Sequence, residues 1–524
     1  MHRVRSSLHP SSLPMLQFIA LLVFASLLPL TAYYWRRKPK LPLPPGPKRY
    51  PIVGNFFNLP SKQQWIKFLQ WSKEYNSDII HFRIFGRSTI VLNSWKATND
   101  LLSVRSVIYS DRPVSTMMNE LCGWAPYISV MPYGDAWRTR RRAFWEEFNP
   151  SQAPDHRPKQ LWYSRDLLRR LLKEPANFLH HIEYTLSASI LAVTYGLDVK
   201  PEHDPNIARA EKALSNVTDA GISGSFLVDT MPFLKHVPSW MPGAGFKRFA
   251  EKSRPDVIDM LNGPFYDGCK RIQEGKGEPS FLSRSLAKGG HIVEGHPNAQ
   301  FIKEVAAVAY SGGAETTRSA LSSFIAAMLL HPEVQMKGQR EVDSCSRSRL
   351  PSFEDLPQMP YVQAIMLEVL RWQAVFPLGV AHRVTMDDEY KGYHIPKGST
   401  VFVNVWALLR DEEYYPDPDT FRPERFLTKD GKINPKRVDP IPNFGFGRRI
   451  CPGRFFATDS LWLAVASILA VFDIAKATDE AGEVIQPDIQ WSSAVTRHIN
   501  PFKCSITPRS LEAEKLIRDS EFIC

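Results

Sequence analysis

The residues best placed to do chemistry lie in Phe444-Gly-Phe-Gly-Arg-Arg-Ile-Cys451-Pro-Gly453. One cysteine sits in a turn rich in Gly and Arg, and an apolar run, Arg454 to Phe472, follows it and predicts a helix. Pro452 then falls at about the first helical position, where a missing N–H costs nothing. Cys451 stands just before a helix N-terminus, whose free N–H groups and positive dipole end favour anionic sulfur. A thiolate so held can ligate a soft or redox metal. Gly447 and Gly453 leave room for a flat group to approach the backbone. Arg449, two residues before the sulfur, can reach a carboxylate at that group's edge. A sulfur below, space above and a cation at the rim suit a haem with a cysteine axial ligand. The competing reading of a single such cysteine is a buried small hydrophobe.

Three further constellations lie upstream. Trp137 and Arg141, four apart, share a helix face, and an indole N–H with a guanidinium can bind a carboxylate. On their own they read better as part of a basic surface patch, with Arg138, Arg140 and Arg142 solvated. In Gln300 to Leu330, one long helical pattern ending at His331-Pro332, lies Gly312-Gly-Ala-Glu-Thr-Thr317. Two glycines inside a helix cost roughly 2 kcal/mol relative to alanine, so something must lie close against this helix: a bound group, or another helix. Thr316 can bond the Gly312 carbonyl and open a local groove, and Glu315 beside it adds an acid able to carry protons. Glu368 and Arg371, at i, i+3, share a face; most such pairs are surface decoration, but apolar neighbours favour a buried pair here, which needs further partners, and Arg425 in Phe421-Arg-Pro-Glu-Arg-Phe426 is one candidate. His382 or Arg383, with Arg383 preferred, is a third ligand for a carboxylate of the flat group.

The elements that must position these residues are mostly helical. Gln63 to Tyr75 predicts a helix, and Ile79 to Phe85 with Thr89 to Leu92 two strands turned at Gly86. Helical patterns dominate from about Ala97, and short strands return near Glu389 to Ile395 and Thr400 to Val405, with Tyr393 to Gly398 as the turn between them. The expectation is a mainly α fold with a small β lobe near each end of the soluble part.

Of the 524 residues 44% are hydrophobic, ample for a large core. The six cysteines form no C-x-x-C pair and no regular framework, which excludes a disulfide scaffold and a structural zinc site. The net charge of +11 suits anionic lipid or an acidic protein partner. No nucleic-acid-binding module is legible, so a nucleic acid is not an expected partner. Met15 to Tyr34 is apolar and long enough to span a bilayer. Arg36, Arg37, Lys38 and Lys40 after it outweigh Arg3 and Arg5 before it, which places the bulk of the chain on the cytoplasmic side. A cleaved signal peptide would end at small residues, whereas this run ends in aromatics and arginines. The dense prolines from Lys40 to Gly54 make a stiff spacer.

Phe444, Gly447, Arg449, Cys451 and Gly453 match F-x-x-G-x-R-x-C-x-G at every fixed position, and this resembles the haem-binding loop of the cytochrome P450 family. The anchor, the proline hinge, W-x-x-x-R at Trp137 and Arg141, G-G-x-E-T-T from Gly312, E-x-x-R at Glu368 and Arg371, and P-E-R-F with Arg425 occur in the order of that family's membrane-bound microsomal type. The segment from Gly224 to Phe246, with Trp240-Met-Pro-Gly, is similar to fungal, basidiomycete-like P450s of secondary metabolism. The resemblance implies a P450 fold after a single transmembrane helix. Its parts would be a lumenal N-terminus 1–14, an anchor 15–34, a hinge 35–50, a catalytic domain 51–508 and a tail 509–524. It implies residence in the endoplasmic reticulum membrane with the catalytic domain in the cytoplasm.

It further implies haem b on Cys451, held through Trp137, Arg141, Arg383 and Arg449, with Phe444, Gly447 and Gly453 shaping the loop. Thr316 and Glu315 would serve oxygen activation, and Glu368, Arg371 and Arg425 would support the haem loop. The implied activity is insertion of one atom of O2 into a hydrophobic small molecule, for example a terpenoid. Electrons would come from NADPH through a membrane NADPH–cytochrome P450 reductase, since Gly243-Ala-Gly245 is no dinucleotide fingerprint. Substrate contacts would come from 106–129, 224–242, 308–316, 376–381 and 491–496, regions that contain Met117, Met118, Leu121, Trp124, Phe226, Phe233, Phe376, Leu378 and Val495. Two rivals are a non-redox isomerase or dehydratase of the same family and a non-catalytic membrane haem sensor or carrier.

Overall fold

The structure is a computed structural model and describes residues 41–220, 226–288, 298–346, 348–438 and 442–521. The anchor expected at 15–34 lies outside the described residues, as does the first part of the hinge. The rest of the hinge is docked. The Pro42 and Pro45 carbonyls accept the His394 and His81 N–H groups at 2.8 and 2.9 Å. A Cβ at Gly46 would stand 1.9 Å from the His81 carbonyl oxygen, so only glycine lets the chain lie this close.

Eleven helices carry the argument: α1 (Gln64–Glu74), α2 (Asp135–Phe148), α3 (Ala153–Lys173), α4 (Phe178–Tyr195), α5 (Pro205–Ala220), α6 (Gly245–Gln273), α7 (Ala299–Leu330), α8 (Pro332–Ser346), α9 (Pro360–Trp372), α10 (Arg454–Val471) and α11 (Leu511–Asp519). The strands are β1 (Ile79–Ile84), β2 (Arg87–Leu92), β3 (His382–Arg383), β4 (Asp388–Tyr390), β5 (Tyr393–Ile395), β6 (Thr400–Val403), β7 (Phe472–Ala475) and β8 (Ser505–Pro508). The fold is mainly helical with small sheets.

Helix α7 runs through the middle. It stops at His331 because a residue before proline is pushed out of the helical region, and Pro332 then opens α8. Its second half, with Leu321, Phe324, Ile325 and Met328 fully buried, joins α10, whose Trp462, Leu463, Val465 and Ile468 are buried too, in one core cluster. Among the described residues α10 is the one helix long and apolar enough to cross a membrane, with mean hydropathy 1.4. Its apolar length is accounted for by that core.

The β1–β2 hairpin turns at Phe85 and Gly86, both at positive φ (45° and 82°), as a two-residue hairpin requires. Strands β1, β2, β6 and β3 make one sheet in that order, so the lobes expected near each end are joined, while β4–β5 and β7–β8 are separate two-stranded sheets. Strand β2 pairs parallel to β6, so chain that is distant in sequence closes the lobe. The expected strand 389–395 is instead a tight hairpin, β4 to β5, turned at Lys391 and Gly392. Tyr393–Ile395 is therefore strand, and the turn into β6 is confined to the residues after it. Residues 509–521, set apart as a tail, pack on the body: Ala513 and Ile517 are buried, and Arg509 holds Asp343 at 2.7 Å.

Candidate active site

Two 3-10 turns, Pro442–Phe444 and Gly447–Arg449, fold the loop ahead of α10. The Cys451 N–H donates back to the Phe444 carbonyl at 2.6 Å and closes it. Gly447 sits at φ +54°, and a Cβ there would meet the Leu102 carbonyl oxygen at 2.0 Å. Its glycine is demanded by the passing chain, not by room for a flat group. A Cβ at Gly453 would meet only the Phe144 ring at 3.7 Å. Gly453 is the N-cap of α10, so Pro452 precedes the helix and does not begin it. Burial pushes the Cys451 thiol up, while the Gly453 N–H, Arg141 and Arg454 pull it down. Those opposing groups are the helix-terminus donors and cations that a thiolate needs.

Cys451 lines a cavity of about 290 Å³, which also takes in Trp137, Arg141, Arg449, Gly312, Gly313 and Thr316. The two glycines of α7 have different jobs. A Cβ at Gly313 would lie 2.9 Å from Ile190 of α4, so Gly313 serves the helix crossing, whereas nothing stands within 4 Å of a Cβ at Gly312. Thr316 Oγ1 donates to the Gly312 carbonyl at 2.8 Å, the back-bond expected of a threonine four residues on. Glu315 is not in the lining; its Oε1 lies 2.9 Å from His498 Nε2.

Three guanidiniums line the cavity, and no Asp or Glu does. Arg449 spends its N–H groups on the carbonyls of Ser110, Ile128 and Met131 and lies 4.3 Å over the Trp137 ring. Arg141 donates to the Ile450 carbonyl. The third is Arg112, bonded to the carbonyls of Ser129, Val380 and Ala381. Burial brings Arg141 and Arg449 down to about 10 and depresses Arg112 well below its ordinary value. Arg383 does not line the cavity. It is ion-paired with Asp111 through Nε at 2.7 Å, and His382 faces the cavity in its place. His382 Nδ1 lies 2.7 Å from the Tyr109 carbonyl, and burial, then Arg112, keeps the ring neutral. Arg112 was not legible in the sequence: no spacing ties Asp111-Arg-Pro113 to the distant cysteine loop.

Glu368 and Arg371, 0% and 1% exposed, pair at 2.7 Å, and Arg425 Nε donates to Glu368 at 3.1 Å. The Leu409, Pro418 and Thr420 carbonyls and the Arg422 N–H satisfy the rest. This network fastens 409–425 to α9. The cysteine loop is tied to α9 by a residue that sequence reasoning missed. Asn443 donates to the Leu370 carbonyl and accepts from the Val375 N–H at 3.1 Å. Of the regions expected to supply substrate contacts, 106–129, 308–316 and 376–381 contribute to the lining, but of the nine apolar residues named in them Phe376 alone does. Met117, Met118 and Trp124 are buried in a second core cluster, Leu121 and Phe226 pack against it, Leu378 packs against a third, and Phe233 is 67% exposed.

The buried Asp111 carboxylate, ion-paired with Arg383, also acts on Arg112 and Arg449, but one acid does not balance these cations, so their burial is costly unless a further anion joins them. A haem answers this site on both counts, with two carboxylates for the guanidiniums and the Trp137 N–H, and an iron for the sulfur. The chain belongs to the cytochrome P450 family, whose model matches residues 44–505. It is accordingly a monooxygenase-type oxidoreductase. It is 44% identical over 489 residues to "Cytochrome P450 monooxygenase ple1" of Rhodocybe pseudopiperita, covering 93% of this chain and 94% of the relative. It is 43% identical to "Cytochrome P450 monooxygenase 98" of Postia placenta, over 92% of this chain and 93% of the relative. It is 39% identical to the "Tryptamine 4-monooxygenase" of Psilocybe cyanescens, over 92% and 96%.

Proposed function

We propose that this chain is a membrane-tethered haem-thiolate monooxygenase of fungal secondary metabolism that oxidises a neutral, hydrophobic small molecule such as a terpenoid. In this reading Cys451 ligates haem b, and Arg112, Arg141, Arg449 and Trp137 hold the two carboxylates. The haem supplies the splitting of O2, with electrons from NADPH through its reductase. The protein supplies binding, orientation and proton control. The Thr316 hydroxyl, already donating to the Gly312 carbonyl, holds a water beside the oxygen site, and Glu315 feeds it protons. Val308, Phe376 and Val380 exclude bulk water and seat an apolar substrate. The basic face beside Arg138 and Arg142 receives the reductase, and the 15–34 anchor places both proteins on the endoplasmic reticulum membrane.

The observation that carries the reading is a cavity with one cysteine sulfur, three guanidiniums and no acidic side chain. The missing acid also bears on substrate. The relative named for tryptamine acts on a base, but an ammonium ion would meet no counter-charge in this lining. Reductase-supported turnover of a panel of neutral terpenoids and aromatic amines, read by mass spectrometry under 18O2, tests this. One labelled oxygen in a terpenoid product supports the reading. Turnover without NADPH would favour an isomerase or dehydratase, and haem binding without any turnover a sensor.

A further inference from the structure

Helix α7 carries Glu315, Ser319 and Ser323 at four-residue spacing, which puts them on one stripe. All three are bonded to the segment 491–499. His498 Nε2 lies 2.9 Å from Glu315 Oε1, the Ser319 hydroxyl donates to the Arg497 carbonyl, and Trp491 Nε1 donates to Ser323 Oγ at 3.2 Å. The segment is closed on itself. Trp491 and Ile499 form an antiparallel bridge, the Ser492 N–H donates to the His498 carbonyl at 2.8 Å, and the His498 N–H donates to Ser492 Oγ at 3.0 Å. His498 is thus fixed from its backbone outward and presented to one carboxylate. The two side chains are 27% and 20% exposed, so the pair touches water, while the next residue, Thr316, lines the cavity. Glu183 of α4 is the other carboxylate near His498. Burial raises its acid, and Arg318, Glu211, His180 and His498 are the charges around it. Arg318 is bonded to Glu183, which leaves Glu315 as the carboxylate in contact with the imidazole.

We propose that His498 is the outer station of the proton relay, taking protons from solvent and passing them to Glu315; this rests on the monooxygenase reading above. In the step, the Nε2–H bond of the imidazolium breaks as an O–H bond forms on Glu315 Oε1, and no electrons change hands. Neutral Glu315 is no longer held by charge and turns toward Thr316 to deliver its proton. Water then reaches Nε2 and restores the imidazolium. A histidine at this place does what lysine or arginine cannot, since they hold a carboxylate without surrendering a proton near neutral pH.

The test separates a proton station from a staple. His498→Gln keeps an N–H donor for Glu315 but has no proton to give, and His498→Ala removes both. The haem-loaded full chain is assayed with reductase, NADPH and farnesol as an apolar probe, in H2O and D2O, for oxygen consumption and peroxide release. Hydrogen exchange over 491–499 is read on the same proteins. The expected result is H498Q with wild-type amide protection, oxygen use lowered roughly tenfold, a larger solvent isotope effect, and a rate no better than H498A. H498Q with the wild-type rate and isotope effect, or with lost amide protection that alone accounts for the defect, overturns the proposal. A wild type that consumes no oxygen with reductase and NADPH overturns the monooxygenase reading itself.

Discussion

Gly447 and Gly453 stand in the same ten-residue string, yet the structure assigns them very different weights. At Gly447 the backbone is at φ +54° and a Cβ would approach the Leu102 carbonyl oxygen to 2.0 Å. An L side chain in that conformation costs about 1–2 kcal/mol. Relieving the collision requires the loop or the helical segment Asn99–Val104 to move by about an ångström, and forced repacking of that kind costs about 1–3 kcal/mol. Gly447→Ala is therefore expected to destabilise the closed loop by about 2–5 kcal/mol, more than tenfold in its population. Gly453 sits at φ −89°, open to any residue, and its Cβ would rest on the Phe144 ring at 3.7 Å. Gly453→Ala loses only part of a helix cap, about 1 kcal/mol or less. Haem-to-protein ratio and urea resistance, measured on both variants, check this. A G447A protein as haem-replete and urea-resistant as wild type, or a G453A protein as impaired as G447A, would refute the reasoning.

Arg112→Gln is expected to speed haem loss to a scavenging globin at least about tenfold, the worth of one charge-assisted bond, while Arg383→Gln, which leaves the cavity lining intact, stays close to wild type. Thr316→Ala should keep NADPH oxidation and lose about tenfold in product per NADPH, seen as peroxide. Glu368→Ala strands Arg371 and Arg425 in a dry site, and urea unfolding should show a loss of about 3–5 kcal/mol. Burial, then Arg49 and Arg83, hold the His81 imidazole down at about 3, from 6.5. With the folded value depressed, the unfolded chain takes up the proton first. Stability is thus whole above about pH 6.5 and falls toward pH 3 by up to about 1.4 kcal/mol per pH unit. His81→Gln should flatten that slope in urea midpoints measured from pH 7 to pH 4.

What could be read in advance was local. The Gly312–Thr317 string, the hairpin around Gly86 and the turn before Arg454 each carry their backbone conformation in neighbouring residues, and their helices and strands stand within a residue or two of expectation. The Glu368, Arg371 and Arg425 network was legible because two charges amid apolar neighbours must find partners. What stayed hidden was set by packing between distant segments. Strand β2 finds β6 only in the folded chain. Arg383 is taken by Asp111, and the cavity draws on Arg112 instead, a choice that no spacing records. The need for glycine at 447 comes from the Leu102 backbone, and Glu315 is in contact with a histidine nearly two hundred residues further on.

The proposed activity requires a bond between Cys451 and a haem iron. Its most direct test is 18O2 incorporation by the reductase-supported full chain, wild type against Cys451→Ser, with haem content measured on both. One labelled atom per product from the wild type and none from the serine variant is the predicted result. Incorporation by the serine variant at the wild-type rate would contradict it.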